Sequence, residues 1–234
     1  MRTIIIELTL VLIERNRKTE GIMANLKSNG VKKAEEVQPI KSKRDIKKLT
    51  AHLKTTNVRN YAIVVIGMNV LLRAGDLLSL RWNDVLEDDG TFKRRTWITE
   101  EKTDKTREVR FNDTCIEALT LLKESIKEEN FNSEEYVFAS RKANKNGEKK
   151  LDVKALHRII KDTCRALNIR GNYGTHTLRK TGAYHIYNDN IASNPTIISR
   201  LQKILNHSSQ ATTLRYIGIE SEEIDNIFDN LNLM

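Results

Sequence analysis

The chain has 234 residues, 39% of them hydrophobic and 30% charged, which is typical of a globular protein with a sizeable core. Lys and Arg number 40 against 31 Asp and Glu, and the net charge of +9 favours a polyanionic partner, although many basic proteins bind no nucleic acid. Two cysteines far apart in sequence, Cys115 and Cys164, exclude a disulfide framework and a thiolate zinc site and favour a reducing cytoplasm.

The first residues do not have the pattern of a membrane or secretion segment. The apolar stretch Thr3–Ile13 is interrupted by Glu7, is too short to cross a bilayer and has no small-residue cleavage site after it. Met23 opens a more polar segment and is a possible natural start. From Asn25 to Lys48 the chain is rich in Lys, which predicts a flexible basic arm or, equally, a solvated linker.

The next hundred or so residues predict helices followed by a small sheet. Helical periodicity runs from Arg44 to His52, and a second, apolar helix is expected over Val58–Leu72. From Val85 to Phe111 the pattern alternates polar with apolar, which indicates a small antiparallel sheet. Another helix follows, with Leu119, Leu122 and Ile126 at helical spacing, and Tyr136–Phe138 is a possible further short strand.

The remainder of the chain is predicted to be helical. Helices are expected over Asp152–Leu167, Thr175–Tyr187 and Pro195–Leu205, with Pro195 in a first turn. Ser221 is a suitable N-cap for a last amphipathic helix. Its apolar residues are Ile224, Ile227, Phe228 and Leu231. The predicted fold class is therefore mainly α with a small antiparallel β-sheet, an α+β domain without internal repeats.

Polar residues that could handle an anion occur in four separate segments. Arg73 follows the buried helix, and Asp76 lies three positions on, where its carboxylate could orient the guanidinium if the turn is helical. His176 and Arg179 share one face of a predicted helix, where they could bind an anion. His207 follows Leu205 and Asn206, and Tyr216 lies nine positions later. Each segment alone is more typical of a surface ion pair, a solvated face or a packed tyrosine than of a catalytic site.

Together, in this order and spacing, the four segments resemble the tyrosine recombinase, or phage integrase, family. That family has an Arg box, a His-x-x-Arg box, a Leu-Gly-His box and a nearby Thr-x-x-Tyr. The resemblance covers roughly residues 40 to 234 and implies the catalytic fold shared with type IB topoisomerases. The catalytic residues it implies are Arg73, His176, Arg179, His207 and Tyr216, with Lys102 in a hairpin turn as the sixth.

The chain departs from the family pattern in three places. Asp76 stands where the family usually has Glu, and Asn206 where it usually has Gly. Full-length integrases also carry a core-binding domain of about 100 residues ahead of the catalytic one, whereas this chain resembles the short fimbrial-inversion recombinases. We therefore expect residues 1–42 to be an N-terminal extension and basic arm and residues 43–234 to be the catalytic domain with its C-terminal helix.

The resemblance implies a site-specific recombinase of a mobile element that cleaves and rejoins double-stranded DNA through a 3′-phosphotyrosine. Arg73 and Arg179 would stabilise charge on the phosphate, and Tyr216 would attack it. Lys102, rather than Lys105 in the same turn, would protonate the leaving 5′ oxygen. His176 would assist proton transfer or bind the phosphate, and His207 would donate to it.

No metal or other cofactor is expected, since the five His are dispersed and the acidic residues show no two-metal pattern. The expected assembly is a cytoplasmic homotetramer on two DNA sites, without membrane contact. Three alternatives remain: a DNA-binding regulator with the same fold that does not cut, a type IB topoisomerase, and, least supported, an RNA-binding module.

Overall fold

The computed structural model describes residues 36–219, and its contacts divide the chain after Glu36, so every element below belongs to the unit that begins at Val37. The elements before the sheet are α1 (Lys43–Thr56), α2 (Val58–Val70), α3 (Ala74–Leu78) and α4 (Trp82–Val85). The sheet consists of β1 (Arg95–Thr99) and β2 (Thr106–Arg110). After it come α5 (Asp113–Glu124), a 3-10 turn (Glu128–Asn130), α6 (Val153–Ala166), α7 (Thr177–Asn190), α8 (Ile197–Leu205) and α9 (Gln210–Ile217).

This mostly helical fold with one small sheet confirms the predicted class. The strands are antiparallel, with Arg95 opposite Arg110 and Thr99 opposite Thr106. The prediction of a further short strand at Tyr136–Phe138 is wrong. Within residues 36–219, Tyr136 makes only an isolated bridge to Arg81.

The segment before and within α1 is packed, which makes the flexible-arm interpretation wrong from Lys43 to Lys48. The Ser42 side chain caps α1 by accepting a hydrogen bond from the Asp45 N–H at 3.1 Å. Upstream of the cap, Ile40 is 1% exposed, and its N–H donates to Thr181 Oγ1 at 2.8 Å. The ordered domain therefore includes residues ahead of position 43.

Most helix boundaries differ from their predictions by a few residues, and two of these differences have clear local reasons. Helix α2 ends at Val70 rather than Leu72, because Leu71 adopts a left-handed conformation with φ of 55°. Helix α8 begins at Ile197, after Pro195, because Thr196 is its N-cap. The predicted last helix, from Ser221 onward, lies outside the described residues.

Buried apolar side chains form two clusters, which we call the main core and the C-terminal core. The main core lies around α2, α5 and α6. The C-terminal core contains Leu71, Ala183, Tyr184, Ile197, Leu201, Leu205, Ile217 and Ile219. Helix α7 belongs to both, since its Leu178 packs in the main core and its Ala183 in the C-terminal core.

Glycines at positions 67 and 182 let α2 and α7 approach closely. A Cβ atom at Gly182 would overlap the carbonyl oxygen of Met68 and would lie 2.5 Å from Leu71 Cδ2. A Cβ atom at Gly67 would lie 2.8 Å from Leu178 Cδ1. This contact fixes the position of α7 relative to the turn that follows α2.

Two further observations concern the cysteines and the membrane. Cys115 and Cys164 are both free and buried. Between residues 36 and 219, none of the helices has the combination of length and apolar character needed to span a bilayer.

The substitution Gly182→Ala should lower the free energy of unfolding by about 2 kcal/mol or more, because the new methyl group meets backbone that cannot move aside. Equilibrium urea unfolding measures this loss. Gly75→Ala is the matched control: its methyl group would meet only Glu101 Oε2, at 3.4 Å, so stability should change by less than about 1 kcal/mol. Equal stability of Gly182→Ala and the unmodified protein would contradict this account of the α2–α7 contact.

Candidate active site

Arg73 lies at the junction between α2 and α3. The left-handed conformation of Leu71 turns the chain, and Arg73 then occupies the N-cap position of α3 with extended backbone angles. Its guanidinium forms an ion pair with the buried carboxylate of Glu100. Arg73 is therefore oriented by Glu100, the residue that directly follows β1.

Asp76 does not act as the sequence suggested. It is 4% exposed, and its Oδ1 accepts a hydrogen bond from the Glu101 N–H at 3.0 Å. Burial raises the pKa of Asp76 from its usual value, and that hydrogen bond opposes the rise. The expected orientation of Arg73 by Asp76 is wrong, since Glu100 holds the guanidinium while Asp76 holds the backbone of the turn.

The turn between β1 and β2 carries Lys102 and is fixed at its base. Glu100 is 2% exposed, and its Oε2 accepts a hydrogen bond from Thr103 Oγ1 at 2.8 Å. Burial alone would raise the pKa of Glu100, but the hydrogen bonds from Arg73 and Thr103 outweigh it and leave the pKa below its usual value. Lys102 itself is exposed at the tip. Lys105 donates to Asn206 Oδ1 at 3.3 Å.

Helix α7 supplies the His-x-x-Arg pair. His176 is the N-cap residue, and Arg179 follows within the first turn, where it is 4% exposed. Arg179 Nη2 donates to the carbonyl oxygen of Leu205 at 2.8 Å. The guanidinium is thereby tied to the last residue of α8.

His207 follows the end of α8 and contacts Thr213 in α9. Its Nδ1 lies 3.1 Å from Thr213 Oγ1, and that hydroxyl donates its one proton to the Ser209 carbonyl at 3.1 Å. When the hydroxyl donates to that carbonyl, it accepts from the ring, and His207 Nδ1 then carries a proton. In the neutral imidazole the Nε2 atom is then a hydrogen-bond acceptor, and it becomes a donor only on protonation.

Tyr216 lies in α9 among these side chains. Its hydroxyl oxygen is 3.4 Å from His176 Nδ1. The His207 ring meets the Tyr216 ring edge to face, with centroids 4.9 Å apart. Lys180 Nζ lies 4.8 Å from the centroid of the same ring.

The electrostatics unite the predicted residues into one cationic site. Burial, followed by the charge of Arg179, lowers the pKa of both His176 and His207, and Arg73 adds to both effects. Lys102 also lowers the pKa of His176, so its charge reaches the site. Both imidazoles should therefore be neutral near neutral pH, and His176 can accept a proton from the phenol.

Three residues that help to build the site were not predicted from the sequence: Glu100, Arg107 and Lys180. Arg107 Nη1 and Nη2 donate to the carbonyl oxygens of Ile204, at 2.7 Å, and Val70, at 2.6 Å, which ties β2 to the ends of α8 and α2. Only Lys180 had a sequence signal, because it lies four residues after His176 on the same helix face.

The charge pattern of the site suits an anion with several oxygen atoms, such as a phosphate. His176, His207 and the ammonium group of Lys180 contact the phenol of Tyr216. The guanidinium groups of Arg73 and Arg179 act on the same two imidazoles. In residues 36–219 no three His, Cys, Asp or Glu side chains form a group able to hold a metal ion.

Comparisons with known proteins agree on one family. The sequence model of the phage integrase family matches residues 42–223. The probable integrase/recombinase YoeC of Bacillus subtilis (strain 168) is 35% identical over 192 residues, which cover 80% of this chain and 92% of YoeC.

Among solved structures, the XerA recombinase superposes with a TM-score of 0.60 at 22% identity, over 84% of this chain and 63% of XerA. The XerH site-specific recombinase, in a post-cleavage complex with palindromic difH substrate, gives 0.59 at 20% identity, over 83% of this chain and 54% of XerH. At these identities the similarity shows the fold. The chain spans less than two thirds of either recombinase.

Glu100→Gln should lower the free energy of unfolding by about 2–4 kcal/mol near neutral pH, because it leaves Arg73 without its buried counter-charge. A carboxyl whose pKa is lower in the folded protein stabilises the fold above its unfolded pKa, and this contribution is lost as pH falls through the folded pKa. The difference between variant and unmodified protein should therefore shrink below about pH 4.

Urea unfolding across this pH range measures the difference. Glu108→Gln is the control, since it removes a carboxylate of the same hairpin whose partner Arg95 is 56% exposed. Its effect should stay below about 1 kcal/mol. A Glu100→Gln deficit that does not depend on pH would show that the charge of Glu100 is not what stabilises the site.

Proposed function

The chain belongs to the phage integrase family of site-specific tyrosine recombinases, whose members catalyse DNA cleavage and strand transfer, and on that premise we propose that it does so through a covalent 3′-phosphotyrosine at Tyr216. The observation that carries this assignment is the position of the Tyr216 hydroxyl, 3.4 Å from the imidazole of His176 and beside Arg179. A nucleophile, a proton acceptor and a phosphate-binding cation thus share one site.

Arg73 and Arg179 bind the non-bridging oxygens of the scissile phosphate. Negative charge grows on these oxygens as the phosphorus becomes five-coordinate, and fixed guanidinium groups stabilise it. Both arginines are held in advance, Arg73 by Glu100 and Arg179 by the Leu205 carbonyl. The site therefore needs little rearrangement to stabilise the transition state.

His176 accepts the proton of the Tyr216 hydroxyl as the phenol attacks. Its lowered pKa supports this role, because a neutral ring offers a lone pair near neutral pH. His207 already donates through Nδ1 to Thr213, so it contacts the phosphate through Nε2. That contact is a donated hydrogen bond once the anion has raised the pKa of the ring and Nε2 is protonated.

Lys102 protonates the 5′ oxygen that leaves as the phosphotyrosine forms. Both lysines are exposed, but Lys105 donates to Asn206 Oδ1 at 3.3 Å, while Lys102 lies in the turn itself. The 5′ hydroxyl of a second strand then attacks the phosphotyrosine and releases Tyr216. The phosphodiester energy is conserved in the intermediate, so rejoining needs no nucleotide cofactor.

The proposed substrate is double-stranded DNA, which matches the net charge of +9 and the difH complex of XerH. The proposed catalytic domain is residues 43–234 together with the packed residues from Val37 onward, and the residues before Val37 are the proposed extension and basic arm. We propose from the family resemblance that the protein belongs to a mobile element. The two free cysteines support a cytoplasmic location.

Tyr216→Phe should form no covalent adduct with a nicked suicide substrate taken from the gene's flanking DNA. Lys102→Ala should bind this DNA normally but cleave it about 10²–10⁴-fold more slowly, because a general acid acts only in the transition state. Replacing the bridging 5′ oxygen with sulfur removes the need for a proton, so cleavage by Lys102→Ala should recover while Tyr216→Phe stays inactive.

Lys105→Ala is the matched control and should show no rescue by the sulfur substrate. Rescue of Lys105→Ala instead of Lys102→Ala would reverse the assignment. Binding without an adduct in the unmodified protein would favour a DNA-binding regulator, and adducts without joined products from two sites would favour a topoisomerase.

We further propose that the protein acts as a homotetramer on two DNA sites, joined through the apolar residues predicted for the C-terminal segment. Deleting residues 221–234 should leave DNA binding intact but abolish the pairing of sites, because the apolar residues proposed to dock on the neighbouring protomer are removed. Native gel shifts and the yield of two-site products measure this. The double substitution Ile227→Ser and Phe228→Ser keeps the chain length and should have the same effect, whereas normal strand exchange by both variants would refute the proposal.

A further inference from the structure

We propose that Lys180 is a positioning residue for the nucleophile, which holds the Tyr216 ring and stabilises its phenolate through a cation–π contact. The inference rests on the proposed role of Tyr216. It concerns a buried lysine to which the mechanism above assigns no part.

The geometry places the ammonium group of Lys180 against the ring rather than in bulk water. Lys180 is 4% exposed, and its Nζ is 4.8 Å from the Tyr216 centroid. It follows Arg179 in α7 and lies one turn after His176, which contacts the Tyr216 hydroxyl. Lys180 and His176 therefore address the same tyrosine from one helix, at its face and at its hydroxyl.

A buried ammonium group is costly to desolvate, and nearby electron density offsets part of that cost. The face of an aromatic ring provides such density, and a phenolate ring provides more than a phenol ring. The attraction between Lys180 and Tyr216 thus increases as Tyr216 loses its proton, which favours the nucleophilic form.

The same contact restrains the position of the ring. Tyr216 lies near the end of the short helix α9, and its hydroxyl must point in line with the leaving oxygen. His207 packs edge to face against the ring, with centroids 4.9 Å apart, and Lys180 is a further contact to it. A lysine fixed in α7 therefore couples the nucleophile to the helix that carries Arg179.

The charge of Lys180 also has a distinct effect on the neighbouring imidazoles. It contributes to the lowered pKa of His176, after burial and Arg179, whereas the causes for His207 are burial, Arg179 and Arg73. Removing the charge should therefore raise the pKa of His176 and leave that of His207 in place.

The test compares Lys180→Met, Lys180→Arg and Lys54→Met with the unmodified protein. Met keeps the length of the side chain without its charge, and Arg keeps the charge. Lys54→Met is the matched control, because Lys54 Nζ also lies over a tyrosine ring, that of Tyr61 at 5.8 Å, where the mechanism places no chemistry. The main measurement is the pH dependence of covalent adduct formation on saturating nicked DNA.

Lys180→Met should form the adduct roughly 10- to 30-fold more slowly near neutral pH. The deficit should decrease as pH rises, because solution hydroxide then supplies the phenolate. DNA affinity should stay within about twofold of the unmodified value, since the effect is confined to the transition state. Lys180→Arg should recover most of the rate, and Lys54→Met should behave as the unmodified protein.

Incorporating a fluorinated tyrosine at position 216 provides a second measurement. Its phenol ionises at lower pH, so it should speed cleavage more in Lys180→Met than in the protein with Lys180. Histidine NMR should show a raised pKa for His176 alone. If Lys180→Met does not fold, Lys180→Gln removes the charge in its place, and an unchanged rate and pH profile in Lys180→Gln would refute the proposal.

Two results would overturn the proposal. An unaltered rate and pH profile in Lys180→Met would show that Lys180 does not act on Tyr216. Weakened DNA binding with a normal rate at saturation would identify Lys180 as a phosphate contact instead. Failure of the proposed function itself is distinguishable, because the unmodified protein would then form no adduct at any pH.

Discussion

The close contact between α2 and α7 is the constraint on which the rest of the site depends. Because Gly182 has no side chain, α7 can lie against the Met68 carbonyl in the last turns of α2. Arg73 follows the end of α2, and His176 and Arg179 occupy the start of α7. Since α7 also packs in the C-terminal core, the same helix sets the position of α8 and α9. Backbone packing far from the reacting atoms thus determines the distance between the phosphate-binding groups and Tyr216.

Bringing several cations together is unfavourable unless something compensates their repulsion. Two features of the fold do so. Glu100 places a buried carboxylate beside Arg73, and the C-terminal end of α8 directs its carbonyl oxygens at Arg179 and Arg107. The end of a helix carries partial negative charge, so these bonds are electrostatically favourable as well as geometrically specific. The remaining positive potential is available to an anionic phosphate, which explains how the site can be assembled before DNA arrives.

The sequence predicted the elements better than the contacts between them. Hydrophobic spacing in α6 and α8 indicated both helices, because residues four apart face one core, as Ile197, Leu201 and Leu205 do. The six proposed site residues were picked out by their order along the chain, and their roles stay predictions. The partner of Arg73 was not, because sequence spacing favoured the local Asp76, whereas the hairpin delivers Glu100 from 27 positions away. Such long-range pairs depend on how β1 packs on α4, and periodicity does not report that packing.

The departure at Asn206 illustrates how a local backbone requirement acquires a second role. The residue before His207 has φ of 53°, a left-handed conformation that glycine adopts freely and that asparagine tolerates better than most residues. Asparagine therefore preserves the turn that ends α8. Unlike glycine, it also has an amide oxygen, which accepts a hydrogen bond from Lys105 at 3.3 Å. The turn that carries Lys102 is thereby linked to the loop that carries His207. A residue that satisfies the same backbone angle thus adds a contact between the proposed leaving-group side and the proposed nucleophile side of the site.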